Sequence, residues 1–303
     1  MFRKAFEKFM DYSIYFSFDR SGYLRHKKYF LPLVTESLPN AVGIVTGGTS
    51  GIGLEVVKFL NCNGAKVYSS SRTADPNQST EKKVMTSLDM SSFEMVKNFC
   101  EELNEELDFI VLNAGGMPED LILNQQNIEL QYASQVVGHY LMFRFLYEQK
   151  KLKNNCRVIW TASGGMYLSK FDEKFIYGEK TPYDKVATYA NAKRAQVILN
   201  RMLSKKHGVF QAVMHPGWVN TPGVRTAIPG FFDFTKNRLR KPTEGADTIN
   251  WLISTKEKLS SGELWFDRKI RNKVIFPWTK NSSSECNKVL DLCESTYEEL
   301  TKG

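Results

Sequence analysis

The sequence predicts an α/β fold: a doubly wound parallel sheet in a single domain, preceded by a helical N-terminal arm. Three observations lead there. From residue 41 onward, short apolar runs alternate with longer helix-like segments, the pattern of strand–helix–strand units. The first, fourth and fifth runs are nearly continuously apolar, as expected of strands covered on both faces. A glycine cluster follows the first run directly and opens the first helix-like segment.

Taken in order, the strands are expected at AVGIVT (41–46), KVYSSS (66–71), MTSLDM (85–90), DFIVLN (108–113), RVIWTAS (157–163) and FQAVMH (210–215). Helices are expected over 51–63, 92–104, 127–150, 187–206 and 244–255. No Pro/Gly/Ser-rich linker and no repeat divides this stretch. The expected organisation is an arm over 1–40, a catalytic domain over 41–280 and a polar tail over 281–303 with a short helix near 287–300.

Composition narrows the classes. With 303 residues, 42% of them hydrophobic and 24% charged, the chain can bury a large core without a metal or disulfide staple. No apolar run reaches the roughly 18 residues of a membrane-spanning helix, so a soluble or surface-associated protein is expected. The 41 basic and 33 acidic residues leave a net charge of +8. The basic residues are dispersed, and neither an RNA-binding signature nor zinc-finger spacing occurs, so nucleic acid is not an expected partner. Cys62, Cys100, Cys156, Cys286 and Cys293 are scattered without a CxxC pair. That pattern predicts no metal site and no disulfide framework, and it suits a reducing, intracellular and cytoplasmic setting.

In the arm, Phe2, Phe6, Phe9, Tyr12 and Phe16 recur at helical spacing, with Arg3, Lys4 and Lys8 on the other side. A cleaved signal peptide is disfavoured, because the segment has neither an uninterrupted apolar core nor a small-residue cleavage site. Two readings stay open for residues 1–18: peripheral contact with a membrane surface, or packing on the body of the protein.

The first strand runs into TGGTSGIG, Thr46 to Gly53. Gly47, Gly51 and Gly53 permit a tight turn in which backbone amides, with Thr49, Ser50 and Ile52, approach a pyrophosphate at a helix N-terminus. This is a Rossmann-type nucleotide site with GxxxGxG spacing. At the end of the second strand stand Ser69, Ser70, Ser71 and then Arg72, with no carboxylate before Asp75. An arginine in place of an acid accommodates a 2′-phosphate, so NADP(H) is expected over NAD(H).

Further on, Asp89 follows the third strand in LDM, Asn113, Ala114 and Gly115 follow the fourth in LNAG, Ser163 ends the fifth, and YANAK supplies Tyr189 and Lys193. Together with TGGTSGIG, these motifs resemble the short-chain dehydrogenase/reductase family over about residues 40–270. The resemblance implies Ser163, Tyr189 and Lys193 as the catalytic set. It implies that Tyr189 and Lys193 also contact the cofactor, and that Asp89 and Asn113–Gly115 support its adenine end. In MHPGWVNTPGV it implies that Pro216, Gly217, Val219 and Thr221 pass the nicotinamide. Gln135 stands where the family usually has an asparagine implicated in proton relay, its amide one methylene further out.

With 13 tyrosines, a Tyr-xxx-Lys match arises readily by chance, and Tyr23/Lys27 and Tyr147/Lys151 also fit. Neither follows a strand-terminal serine, so both are expected to be surface pairs. Residues 189 and 193 share one helix face. A carbonyl that accepts hydride becomes an alkoxide and needs a proton donor. An ammonium one turn away is expected to lower a tyrosine pKa from ~10, while Ser163 polarises the substrate oxygen.

Residues 222–242, with Ile228, Phe231, Phe232 and Phe234, are expected to form an apolar lid over a hydrophobic substrate, or to pack on the body or on a partner in a homodimer. Arg225, Arg238 and Arg240 could meet an acidic group, although solvation at the surface is the expected reading. The long, charged segment between Ser163 and Tyr189 resembles that of reductases acting on retinoids and similar lipophilic carbonyls. The expected function is NADP(H)-dependent hydride transfer between nicotinamide and a lipophilic alcohol or carbonyl. The alternative is a catalytically weak or inactive NADP(H)-binding sensor of the same fold.

Overall fold

The structure, a computed structural model, describes Met10 and residues 14–302. Its strands are β1 (Val42–Thr46), β2 (Lys66–Ser71), β3 (Lys83–Ser87), β4 (Leu107–Leu112), β5 (Leu152–Thr161), β6 (Phe210–Met214), β7 (Glu263–Phe266) and β8 (Lys269–Arg271). They form one sheet in the order β3-β2-β1-β4-β5-β6-β7-β8, parallel except for β8. The order reverses at β1, which pairs with β2 on one side and β4 on the other. A crevice at the carboxyl ends of the strands follows from that reversal.

The helices are α1 (Ile14–Phe18), α2 (Arg20–Lys27), α3 (Gly51–Cys62) and α4 (Phe93–Glu102). Next comes a continuous helix α5 made of Leu130–Tyr132, a π-helical stretch Ala133–Val137 and Gly138–Glu148. After it come α6 (Lys185–Lys206), α7 (Pro222–Ala227), α8 (Pro229–Thr235), α9 (Pro242–Ser254) and α10 (Ser283–Lys302).

Alternation along the strands sends successive side chains to opposite faces. Ile44, Ile110, Val158 and Trp160 join the core containing Val96, Tyr140, Leu141 and Leu199 of α4, α5 and α6. Val45, Val67, Val111 and Ile159 join Val56, Leu60, Ile249 and Leu252 of α3 and α9. The sheet is covered on both faces, and this accounts for the apolar runs.

Some expectations shift. β3 begins at Lys83 and ends before Leu88, because Asp89 and Ser91 form a side-chain turn there. β7 and β8 have no counterpart in the sequence reading; they are four and three residues long, too short for a periodic signal. α10 is a full helix of 20 residues that buries Val289, Cys293 and Thr296. Tyr297 packs on Phe145 with ring centroids 5.0 Å apart.

The described part of the arm packs on the body. Phe18 and Tyr23 are buried, Tyr15 lies 5.6 Å from the Trp218 ring, and Arg238 sits over the rings of Tyr15 and Phe16. Phe2, Phe6, Phe9 and Tyr12 lie outside the described residues. Among the described residues no helix is long and apolar enough to cross a membrane, and all five cysteines are free thiols.

Val289 is fully buried between α10 and the core. Val289→Asp places a carboxylate there without a partner and is expected to cost about 4 kcal/mol or more, against about 0.5 or less for the exposed Asp291→Asn. Urea midpoints of the two variants check this.

Candidate active site

The loop after β1 turns on Gly47 at φ +67° and Gly51 at φ +53°. A Cβ on Gly53 would stand 2.2 Å from the Gly47 carbonyl oxygen, so only glycine lets α3 start this close to the strand. Ser50 precedes α3 without a side-chain cap on its first amides, which leaves them directed into the crevice with Thr49 half-buried beside them. Ile52 and Val219 meet over Gly245 of α9, which ties this turn to the far side of the crevice. Thr221 reaches Gly51 as well: its Cγ2 lies 3.2 Å from the position a Cβ would take there.

At the end of β2 the hydroxyls of Ser69 and Ser70 are buried without a partner, and Arg72 is exposed. Asp89 accepts from the Ser91 amide at 2.9 Å and from its hydroxyl at 2.7 Å. Asn113 Nδ2 donates to the Thr46 carbonyl at 3.1 Å, which holds Ala114 and the exposed Gly115 at the mouth. A cradle of glycines, a free helix N-terminus and two orphaned serine hydroxyls fit a dinucleotide laid across the carboxyl end of the sheet.

Ser163 stands just past β5 and caps the short turn over Gly164–Leu168. Tyr189 lies on α6, and burial pushes its pKa up to about 12, opposed by its Ser163 hydrogen-bond partner. Lys193, one turn on, is buried; its Nζ donates to the Thr161 carbonyl at 2.8 Å and lies 5.3 Å from the Tyr189 ring centre. Desolvation lowers its pKa to about 7. The expected lowering of the tyrosine pKa is therefore reversed in this structure. Burial acts on both groups, and at Tyr189 the Ser163 hydrogen bond only partly offsets it.

Gln135 sits in the π-helical stretch. Its Nε2 donates to the Gly116 carbonyl at 2.9 Å, so the extra methylene folds the amide onto the loop after β4 and not toward Tyr189. Its main-chain carbonyl accepts from Gln196 Nε2 at 2.6 Å and from His139 Nδ1 at 3.0 Å. Gln196 and His139 escaped the sequence reading, as no motif marks them. His139 lies 3.1 Å from the Thr46 hydroxyl through Nε2. Because a carbonyl only accepts, Nδ1 carries the proton and Nε2 accepts from Thr46.

The turn after β6 carries Pro216, Gly217 at φ +77° and Trp218. Thr221 caps α7. Trp218 packs on Tyr15, Phe18 and Phe231, and Phe234 lies 6.3 Å from Tyr15. Trp218, Phe231 and Phe234 thus share an aromatic wall with the arm. Of the three arginines, Arg225 is exposed, Arg238 is paired with Asp19, and Arg240 is buried against Asp267, contrary to the solvated reading. Tyr23 is buried too, and Tyr147 is half-buried with its ring 4.4 Å from that of His207, so neither belongs to a surface pair.

Against known proteins, the short chain dehydrogenase family profile matches residues 41–229. The chain is 31% identical over 294 residues to human dehydrogenase/reductase SDR family member 12, covering 91% of this chain and 93% of that protein. It is 28% identical to mouse retinol dehydrogenase 11, covering 78% and 83%. Among solved structures, an uncharacterized protein from Mycobacterium Paratuberculosis superposes with a TM-score of 0.68 at 18% identity, covering 88% of this chain and 98% of that one. A short chain dehydrogenase from Burkholderia cenocepacia, in complex with NADP, does so with 0.58 at 19%, covering 75% and 96%. The chain belongs to the short-chain dehydrogenase/reductase family, oxidoreductases that act on CH–OH or carbonyl groups with a nicotinamide cofactor.

Burial pushes the pKa of His139 and of His215 from 6.5 down to about 3. The unfolded chain therefore binds more protons than the folded one between those values. The stabilisation is present above 6.5 and is lost as pH falls toward 3, by up to about 1.4 kcal/mol per pH unit for each histidine. Urea midpoints of the protein should fall through that window, and His139→Gln should make the slope shallower.

Proposed function

We propose that the protein transfers hydride between NADP(H) and a lipophilic alcohol or carbonyl compound, with Tyr189 as the general acid and base. The observation that carries this reading is the meeting of Ser163, Tyr189 and buried Lys193 at the carboxyl end of β5, across the crevice from the glycine turn. The nicotinamide cofactor supplies or accepts the hydride. Tyr189, with a pKa of about 12, stays protonated at neutral pH and is poised to give its proton to the oxygen of a reduced carbonyl. Ser163 holds that oxygen and helps polarise it. Lys193 anchors to the end of β5 through the Thr161 carbonyl and presents its remaining protons to the ribose and the phenol.

The 2′-phosphate is assigned to Arg72 with Ser69, Ser70 and Ser71, since no carboxylate stands at the end of β2 to meet a free ribose hydroxyl. A lipophilic substrate is supported by the aromatic wall of Tyr15, Trp218, Phe231 and Phe234 and by the likeness to retinol dehydrogenase 11. A cofactor sensor with no turnover would not require Ser163, Tyr189 and Lys193 together. The catalytic domain is assigned to residues 41–280 with the arm folded onto it.

Tyr189→Phe is expected to keep cofactor affinity within a few-fold while turnover falls by roughly a thousandfold, within the range of general acid–base catalysis. A panel of lipophilic aldehydes, ketones and alcohols, read by NADPH absorbance, tests it; turnover within a few-fold of the wild type would reject the role of Tyr189.

Wild type is expected to bind NADPH roughly tenfold or more tightly than NADH, and Arg72→Ala to remove most of that difference, the size of one charge-assisted phosphate contact. Calorimetric titration of both cofactors into both proteins measures it, and equal wild-type affinities would reject the NADP(H) assignment.

A further inference from the structure

Arg240 is only 1% exposed, and every nitrogen of its guanidinium is engaged. Nε donates to the Phe18 carbonyl at 2.9 Å and the Asp19 carbonyl at 3.2 Å, and Nη2 to the Ser17 carbonyl at 2.9 Å. Nη1 and Nη2 also hold Asp267 in a two-pronged pair at 2.6 and 3.0 Å, and His26 meets the same carboxylate at 2.6 Å. The main chain of Arg240 is woven into the turn after β6. Its amide donates to the Trp218 carbonyl at 2.7 Å, and its carbonyl accepts from Asn220 at 2.9 Å. The Trp218 amide in turn donates to the Phe18 carbonyl at 2.8 Å.

Two glycines let this junction close. A Cβ on Gly217 would stand 2.4 Å from Arg240 Nε and 2.6 Å from the Phe18 carbonyl oxygen. A Cβ on Gly164, the residue after Ser163, would stand 2.7 Å from the Phe18 ring. That ring also meets His215 edge-on at 4.2 Å. The arm is thereby wedged between the serine turn and the turn carrying Pro216 and Gly217.

We propose that Arg240 is a positioning residue for the nicotinamide-facing turn 216–218, acting through arm residues 17–19, so that the docked arm is part of the cofactor site. This rests on the role of that turn in the function proposed above. Stability alone explains the arrangement poorly. A buried ion pair is often no better for stability than apolar residues of the same volume. Three consecutive carbonyls and one carboxylate held by a single planar fork do set geometry, and a lysine ammonium cannot span them.

The consequence is confined to one half of the cofactor. In Arg240→Lys, NADPH should bind roughly tenfold more weakly, while adenosine 2′,5′-bisphosphate, which has the adenine half and no nicotinamide, should bind within about twofold of wild type. Calorimetry with both ligands on the full-length chain reads this split. If the lysine variant does not fold, Arg240→Met/Asp267→Leu, which leaves neither member of the pair charged and alone, is read in the same way. Unchanged NADPH affinity, equal weakening of both ligands, or failure of both variants to fold would each overturn the proposal. A wild type that binds neither NADPH nor NADH would instead overturn the cofactor chemistry on which the proposal rests.

Discussion

The hydroxyl of Thr46 has two lone pairs and one proton, and all are used where β1, β4 and α5 meet. It accepts from the amides of Asn113 and Ala114 at 2.8 and 2.9 Å, and its proton lies between the Val111 carbonyl and His139 Nε2. The strand that launches the glycine turn is thus fastened to the loop that lines the opposite side of the crevice. His139 extends the tie to the Gln135 carbonyl, in the π-helical stretch of α5. Removing this hydroxyl would take the acceptor from two half-buried amides at once. The end of β1 and the loop after β4 thus share one oxygen.

The same burial that gives the crevice its shape governs its protons. Lys193 is buried and Tyr189 half-buried, and desolvation favours the neutral form of each. A tyrosine held at about 12 and a lysine brought to about 7 differ from the ion pair that their spacing implies. They amount to a protonated phenol beside an amine that gains or loses charge near neutral pH. Such a pair suits protonation of a developing alkoxide.

Much of this was legible in the sequence because it is local. The glycines at 47, 51 and 53 act through backbone conformation within one turn, and Tyr189 and Lys193 through one turn of helix. Apolar runs betray a sheet covered on both faces. The junction around Arg240 was not legible. Its partners are 222 residues away at Phe18 and 27 away at Asp267, and the stretch RLRKP reads as a charged surface. Nor did Gln196 announce itself: it is one polar residue among many on α6, and it gains meaning only beside the Gln135 carbonyl. In the arm, Tyr15 and Phe18 meet the Trp218 ring of the turn after β6, and Phe16 lies beneath Arg238, contacts that no helical periodicity announces.

The edge of the sheet belongs to the support of the site. β7 and β8 are joined by Asp267 and Arg268, both in the left-handed region at φ 50° and 59° without being glycine. Residues held there cost on the order of 1–3 kcal/mol each unless their surroundings determine them. Here both side chains are committed: Asp267 to Arg240 and His26, and Arg268 to Asp247 of α9 and to the Leu31 carbonyl. A glycine pair would turn the chain more easily, but it would leave the arginine fork without its carboxylate and the arm without its anchor. The strained turn and the buried pair therefore sustain each other. The arm is held against the Gly217 turn by an aspartate whose own backbone is kept in place by the charge it neutralises.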